Sequence, residues 1–158
     1  MAVKEDIDWQ TEKETVRERV AFLWNSDLLS DVKFVVLVSN GESETKSTKV
    51  IPAHKFVVAI SSPVFYAMFY GQMADTTDTI ALPDCEFESL LELFRCMYSD
   101  EVNLTGSNVM RVLYLAKKYM VPSLADKCTA YLQDNLEASN VFSILPHAQK
   151  LEDTVLED

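Results

Sequence analysis

The sequence predicts an α+β chain in which a small β-sheet caps a cluster of α-helices. Three observations carry that expectation. A β-branched run, Asp31 to Val38, leads through an Asn-Gly pair into a second extended run. After Asp84, four successive segments place apolar residues at steps of three and four. Two proline restarts, Ser62-Pro63 and Pro122, separate helices from what precedes them.

The elements follow in order. Val16, Val20, Leu23 and Trp24 make an apolar stripe on a helix expected from Glu12 to Trp24, closed by Asn25-Ser26-Asp27. Such a stripe covers either the rest of the chain or a second copy. The strand Asp31–Val38 comes next, then a loop after Asn40-Gly41, then a return strand from Ser47 to Ile51 that Pro52 is expected to end. A two-stranded ribbon is unstable alone, so it must join another strand or lie on helices. Lys55 to Ile60 reads as a short helix. Ser61-Ser62-Pro63 supplies a hydroxyl cap and a first-turn proline for a second one, with Val64, Phe65, Met68 and Phe69 on its apolar side and Gly71 at its end. Thr79 to Leu82 is a third strand, closed by Pro83-Asp84. The later helices carry Phe87, Leu90, Leu91, Phe94, Met97 and Tyr98, then Val109, Val112, Leu113, Ala116, Tyr119 and Met120 behind a Ser107 cap. Pro122 starts the next, with Leu124, Cys128, Tyr131 and Leu132. Val141, Ile144, Leu145, Ala148 and Leu151 mark the last.

Composition removes several functions. The chain has 158 residues, of which 25 are acidic and 14 basic, for a net charge of −11. That acidity argues against nucleic-acid binding, which needs a concentrated basic surface, and against attraction to anionic lipid. No apolar run approaches the ~18 residues of a membrane span, and the opening MAVKEDIDWQ is too acidic for a secretory signal. The expected location is cytoplasmic, with the nucleus the other possibility.

Chemistry has few anchors. Cys85, Cys96 and Cys128 are an odd, scattered set that suits reduced buried thiols and not a disulfide framework or a metal site. Three isolated glycines exclude a phosphate-cradling loop. Neither His54 nor His147 lies in a catalytic or zinc motif, so no enzyme, cofactor or metal is expected. The sequon Asn103-Leu104-Thr105 reads as coincidence without a signal peptide.

Six pieces, in order and at compatible spacing, resemble the BTB/POZ family. They are Leu29-Ser30-Asp31-Val32-Lys33-Phe34, Ile51-Pro52-Ala53-His54-Lys55-Phe56 running on to Ala59-Ile60-Ser61-Ser62-Pro63-Val64-Phe65, Met68-Phe69, Phe87 with Leu90-Leu91, Met97-Tyr98, and Ala116-Lys117-Lys118-Tyr119. The resemblance implies a BTB/POZ domain over residues 12–136. Residues 137–158 resemble the truncated start of a BACK region, and Val64–Gly71 is similar to BTB-BACK proteins with a PHR-type C-terminal domain. In that light His54 is a structural residue at a strand-to-helix corner.

The resemblance implies two binding functions. One is homodimerisation through Val16, Val20, Leu23 and Trp24, with Asp31 and Lys55 as paired charges that face each other between protomers or satisfy each other within one chain. The other is docking of cullin-3, as the adaptor part of a ubiquitin ligase whose substrate is selected by a missing C-terminal domain. The cullin contact maps to Phe69, to the triplet Met73-Ala74-Asp75 with Asp75 where the family has Glu, to Tyr119 and to Phe142. Tyr119 also fits a core position on its own apolar stripe. The alternative reading is a BTB homodimer that recruits transcriptional or other partners without cullin.

Overall fold

Along Val32–Val38 (β1), Val32, Phe34 and Val36 are buried while Lys33 is exposed. That period of two is what a strand with one face on a core requires. The computed structural model describes residues 8–38, 47–74 and 76–136. Strand β1 is central in a three-stranded sheet of order β2-β1-β3. It runs antiparallel to Ser47–Ala53 (β2) and parallel to Thr79–Glu86 (β3). The expected Asn40-Gly41 turn lies outside the described residues.

Two prolines expected to end strands do not. Pro52 sits inside β2, opposite Lys33. Lys33 gives its N–H to the Asp78 carbonyl, 2.8 Å away on the β3 side. N–H and C=O of one strand residue point the same way, so Lys33 and Pro52 exchange no bond and the missing proline N–H faces the open edge. Pro83 is accommodated differently. The β1–β3 register jumps from Val36↔Leu82 to Leu37↔Glu86, so Pro83, Asp84 and Cys85 bulge out of the ladder.

The N-terminal helix is also shorter than its stripe suggests. Trp9–Glu12 (α1) is a single turn, and Lys13 is extended. Val16–Phe22 (α2) starts afresh at Thr15, whose hydroxyl accepts the Glu18 N–H at 3.0 Å while Glu18 accepts the Thr15 N–H at 3.1 Å. This capping box satisfies two helix-end donors and outweighs continuation of the earlier turn.

Lys55–Ser61 (α3) and Pro63–Tyr70 (α4) meet at Ser62 as expected. The Ser62 hydroxyl accepts the Phe65 N–H and donates to the Tyr119 carbonyl at 2.6 Å, joining the cap to a distant helix end. Phe87–Ser99 (α5), Val109–Lys118 (α6) and Pro122–Leu136 (α7) complete the described fold. Ser107 does not cap α6. Thr105 and Asn108 instead exchange side-chain-to-backbone bonds around the turn, with Asn108 as the N-terminal flanking residue.

The core sits between the inner face of the sheet and the helices. Phe34 from β1 is surrounded by Phe65, Phe69 and Phe94 at ring separations of 5.5, 6.2 and 5.2 Å, and Phe65 stacks on Tyr119 at 4.6 Å. Each such ring stabilises the fold by about 1.5–3 kcal/mol through burial alone.

A polar corner is enclosed beside this core. His54 Nε2–H donates to the Leu28 carbonyl at 2.7 Å, so in the neutral ring Nδ1 accepts the Tyr98 O–H at 2.8 Å. The Tyr98 oxygen in turn accepts the His54 backbone N–H at 3.0 Å. Burial pushes the Tyr98 phenol up from its ordinary value, keeping the donor protonated. His54 is thus the structural corner residue anticipated above. Tyr98→Phe leaves His54 short of a donor and an acceptor, and urea unfolding should show a loss of about 1–3 kcal/mol. Unchanged stability would mean that the corner contributes nothing.

Candidate functional site

The residues assigned to a dimer face divide into two groups. Val20, Leu23 and Trp24 lean on the chain's own core. Trp24 Nε1–H donates to the Leu91 carbonyl at 3.0 Å, and the Arg95 guanidinium lies 4.0 Å over the indole. Val16, 69% exposed, points away from that core. The outward apolar side chains of this region are Val16, Phe22, Leu28 and Leu29, with Trp9 stacked on Phe22 at 4.8 Å.

Asp31 and Lys55 do meet within one chain, but not as an ammonium–carboxylate pair. Asp31 Oδ1 accepts the Lys55 backbone N–H at 2.8 Å, capping α3 from another part of the chain where the His54 side chain makes no cap bond. The Lys55 ammonium instead lies 5.4 Å over the Phe69 ring.

The expected cullin contacts also separate. Met73, 94% exposed, stands on the loop after α4. Phe69 and Tyr119 are core residues: Phe69 packs on Phe34, and Tyr119, 2% exposed, is stacked on Phe65 with its hydroxyl 3.6 Å from the Cys85 sulfur. Asp75 and Phe142 lie outside the described residues.

Helix α4 carries a signal that the stripe reading missed. Its eight residues, Pro-Val-Phe-Tyr-Ala-Met-Phe-Tyr, include no charge, yet only Phe65 and Phe69 are buried. An all-apolar helix with one face in water presents that face to something. Tyr66 and Tyr70, one turn apart with rings 6.0 Å from each other, form it. Beside them a groove of about 600 Å³ runs between the α3–α4 and α6–α7 corners, lined by Ile60, Pro63, Tyr66, Lys117, Met120 and Pro122 among others. Gly71 sets the exit from α4: a Cβ there would stand 2.5 Å from the Ala67 carbonyl oxygen.

Comparison with known proteins gives a consistent result. The family model described as BTB/POZ domain matches residues 22–136. The chain is 41% identical over 153 residues to BTB/POZ domain-containing protein 6 of Homo sapiens, covering 97% of this chain and 27% of that protein. It is 42% identical over 138 residues to BTB/POZ domain-containing protein 3 of Homo sapiens, covering 87% and 25%. The chain therefore spans about a quarter of the length of these relatives.

Among the described residues, no group of three or more histidine, cysteine or acidic side chains is placed to hold a metal ion. No described helix is long and apolar enough to cross a membrane. The three thiols are free and buried. Burial pushes each of them up, Cys128 to about 12, so all three stay protonated and unreactive near neutrality. A chromogenic disulfide reagent at pH 8 should therefore titrate no cysteine in the folded chain and all three after denaturation. Rapid reaction of one thiol in the folded state would identify a reactive site that this geometry does not provide.

Proposed function

Since the chain belongs to the BTB/POZ domain family, a family of protein-interaction modules, we propose that it is a homodimerising adaptor that docks cullin-3 and acts by bringing proteins together without catalysis. The observation that carries the cullin reading is Met73. It is the most exposed large apolar side chain described, standing at the end of an uncharged helix whose Tyr66 and Tyr70 also face water. Held in solvent, a methionine gains nothing for the fold; seated in a partner, it supplies a flexible apolar anchor. The Met73-Ala74-Asp75 triplet keeps an apolar residue and an acid at the family's spacing.

Charge distribution supports the dimer. Residues 13–33 contain Lys13, Arg17, Arg19 and Lys33 against Glu14, Glu18, Asp27 and Asp31, so this stretch is neutral and the whole −11 lies elsewhere. Two copies that meet through a charge-balanced stretch face no net repulsion there. The BACK reading of residues 137–158 and a substrate-selecting region beyond them belong to the same proposal, as does a cytoplasmic or nuclear location.

Calorimetric titration with the N-terminal part of cullin-3 should give a dissociation constant between nanomolar and micromolar, about −12 to −8 kcal/mol. Changing Met73 and Asp75 together to alanine should weaken binding at least ~10-fold, about 1.4 kcal/mol. Absence of binding by the unaltered chain at high concentration would remove the cullin reading, and full retention by the double variant would move the site elsewhere.

A further inference from the structure

The sulfur atoms of this chain differ sharply in their access to solvent. Met68, Met97 and Met110 pack against the core, whereas Met120 is 56% exposed and Met73 94%. Cys85, Cys96 and Cys128 are buried, and burial keeps their thiols protonated. A thiol must ionise before it attacks a peroxide, while a thioether needs only to be reached. Among the described residues, the sulfur that an oxidant meets first is therefore that of Met73.

That sulfur ends a row of outward apolar and aromatic side chains. Met120 and Tyr66 both line the groove between the α3–α4 and α6–α7 corners. The Tyr66 and Tyr70 rings are 6.0 Å apart, and Met73 follows Tyr70 by three residues, past the tight Gly71 exit. Helix α4 contributes no charge to this row, so its attraction for a partner is that of apolar and aromatic surface. At 94% exposure Met73 adds almost nothing to the core, and a chemical change there alters what the surface offers without altering the fold.

Hydrogen peroxide supplies such a change. Its O–O bond breaks and one oxygen passes to the thioether; the sulfur is oxidised by two electrons to the sulfoxide, and the peroxide is reduced to water. The product is a polar side chain with an acceptor oxygen. In water that oxygen is hydrated. Seated in an apolar pocket it loses hydration without gaining a donor, a cost that falls on docking alone. A dithiol-dependent reductase reverses the step: the dithiol becomes a disulfide and the oxygen leaves as water. We infer that Met73 is an oxidation switch, seating in the partner as the thioether and releasing it as the sulfoxide. This rests on the cullin reading above and adds to it a chemical control of the same contact.

Peroxide treatment of the whole 158-residue chain, removal of the oxidant, peptide mass spectrometry and titration with the N-terminal part of cullin-3 test the inference. Met73 should be converted at least ~10-fold faster than Met68, Met97 and Met110. Its conversion should weaken binding at least ~10-fold and leave the melting temperature unchanged. A methionine sulfoxide reductase supplied with dithiothreitol should restore binding. Met73→Leu keeps an apolar side chain of similar size that peroxide does not attack, so it should bind within about threefold of the original chain before and after treatment. Met73→Gln, polar and of similar length, should bind as weakly as the oxidised chain with no oxidant present. Undiminished binding by chain oxidised at Met73, peroxide sensitivity that persists in Met73→Leu, or a melting temperature that falls as Met73 is oxidised would each overturn the inference. Failure of the untreated chain to bind would instead remove the cullin reading, and the switch with it.

Discussion

Enclosure of the Phe34 ring is the contact on which the rest of the structure depends. Phe34 lies on the inner face of the central strand, with Phe65, Phe69 and Phe94 around it. One side chain thereby ties the sheet to α4 and α5, and the Phe65–Tyr119 stack carries the connection to the end of α6. A slip of β1 by one residue would turn Phe34 to solvent and bring Lys33 inward, so the same ring also holds the register. The departures elsewhere in the sheet respect that constraint. Pro52 sits where β1 sends its hydrogen bonds the other way, and Pro83 is expelled into a bulge without disturbing the pairing of Phe34 with Ile80.

Around this center, polar groups fix backbone corners that packing alone leaves free. His54 joins the start of α3 to the end of α5 through Tyr98 and to the chain before β1 through Leu28. Asp31 caps α3, and Ser62 caps α4 while holding the C-terminal end of α6. Buried hydrogen bonds of this kind contribute modest net stability but are costly to leave half-made, so they select one arrangement among several of similar hydrophobic energy. Their consequence at the surface is directional: Leu29 is presented outward between the His54 and Ser30 hydrogen-bond clamps, while Met73 follows the tight Gly71 exit from α4.

The candidate surfaces were less legible than the elements. The Val16–Val20–Leu23–Trp24 stripe announces an amphipathic helix, yet periodicity only says that a face is covered, not by what. Three of those side chains are covered from within, by Leu91, Arg95 and the adjoining core. Tyr119 shows the same ambiguity, since an aromatic residue on an apolar stripe suits a core or an interface equally, and its stack on Phe65 places it in the core. The clearest outward signals were compositional. Helix α4 has no charged residue although half of it faces water, and the stretch 13–33 is neutral in a strongly acidic chain.

By itself the sequence determined the α+β class, the identity and order of the principal strands and helices, the Ser62-Pro63 restart, the reduced state of scattered cysteines and the family. These depend on local spacing and on residue types, which act over a few positions and survive any arrangement of the rest. Tertiary structure alone decided which side of each apolar element is spent on the core, how Pro52 and Pro83 fit within strands, where the α1–α2 break falls relative to the stripe, and that Asp31 gives its carboxylate to a helix end instead of to the Lys55 ammonium. Each of those outcomes depends on a partner distant in sequence, and a partner's position becomes defined only once the Phe34 core has closed.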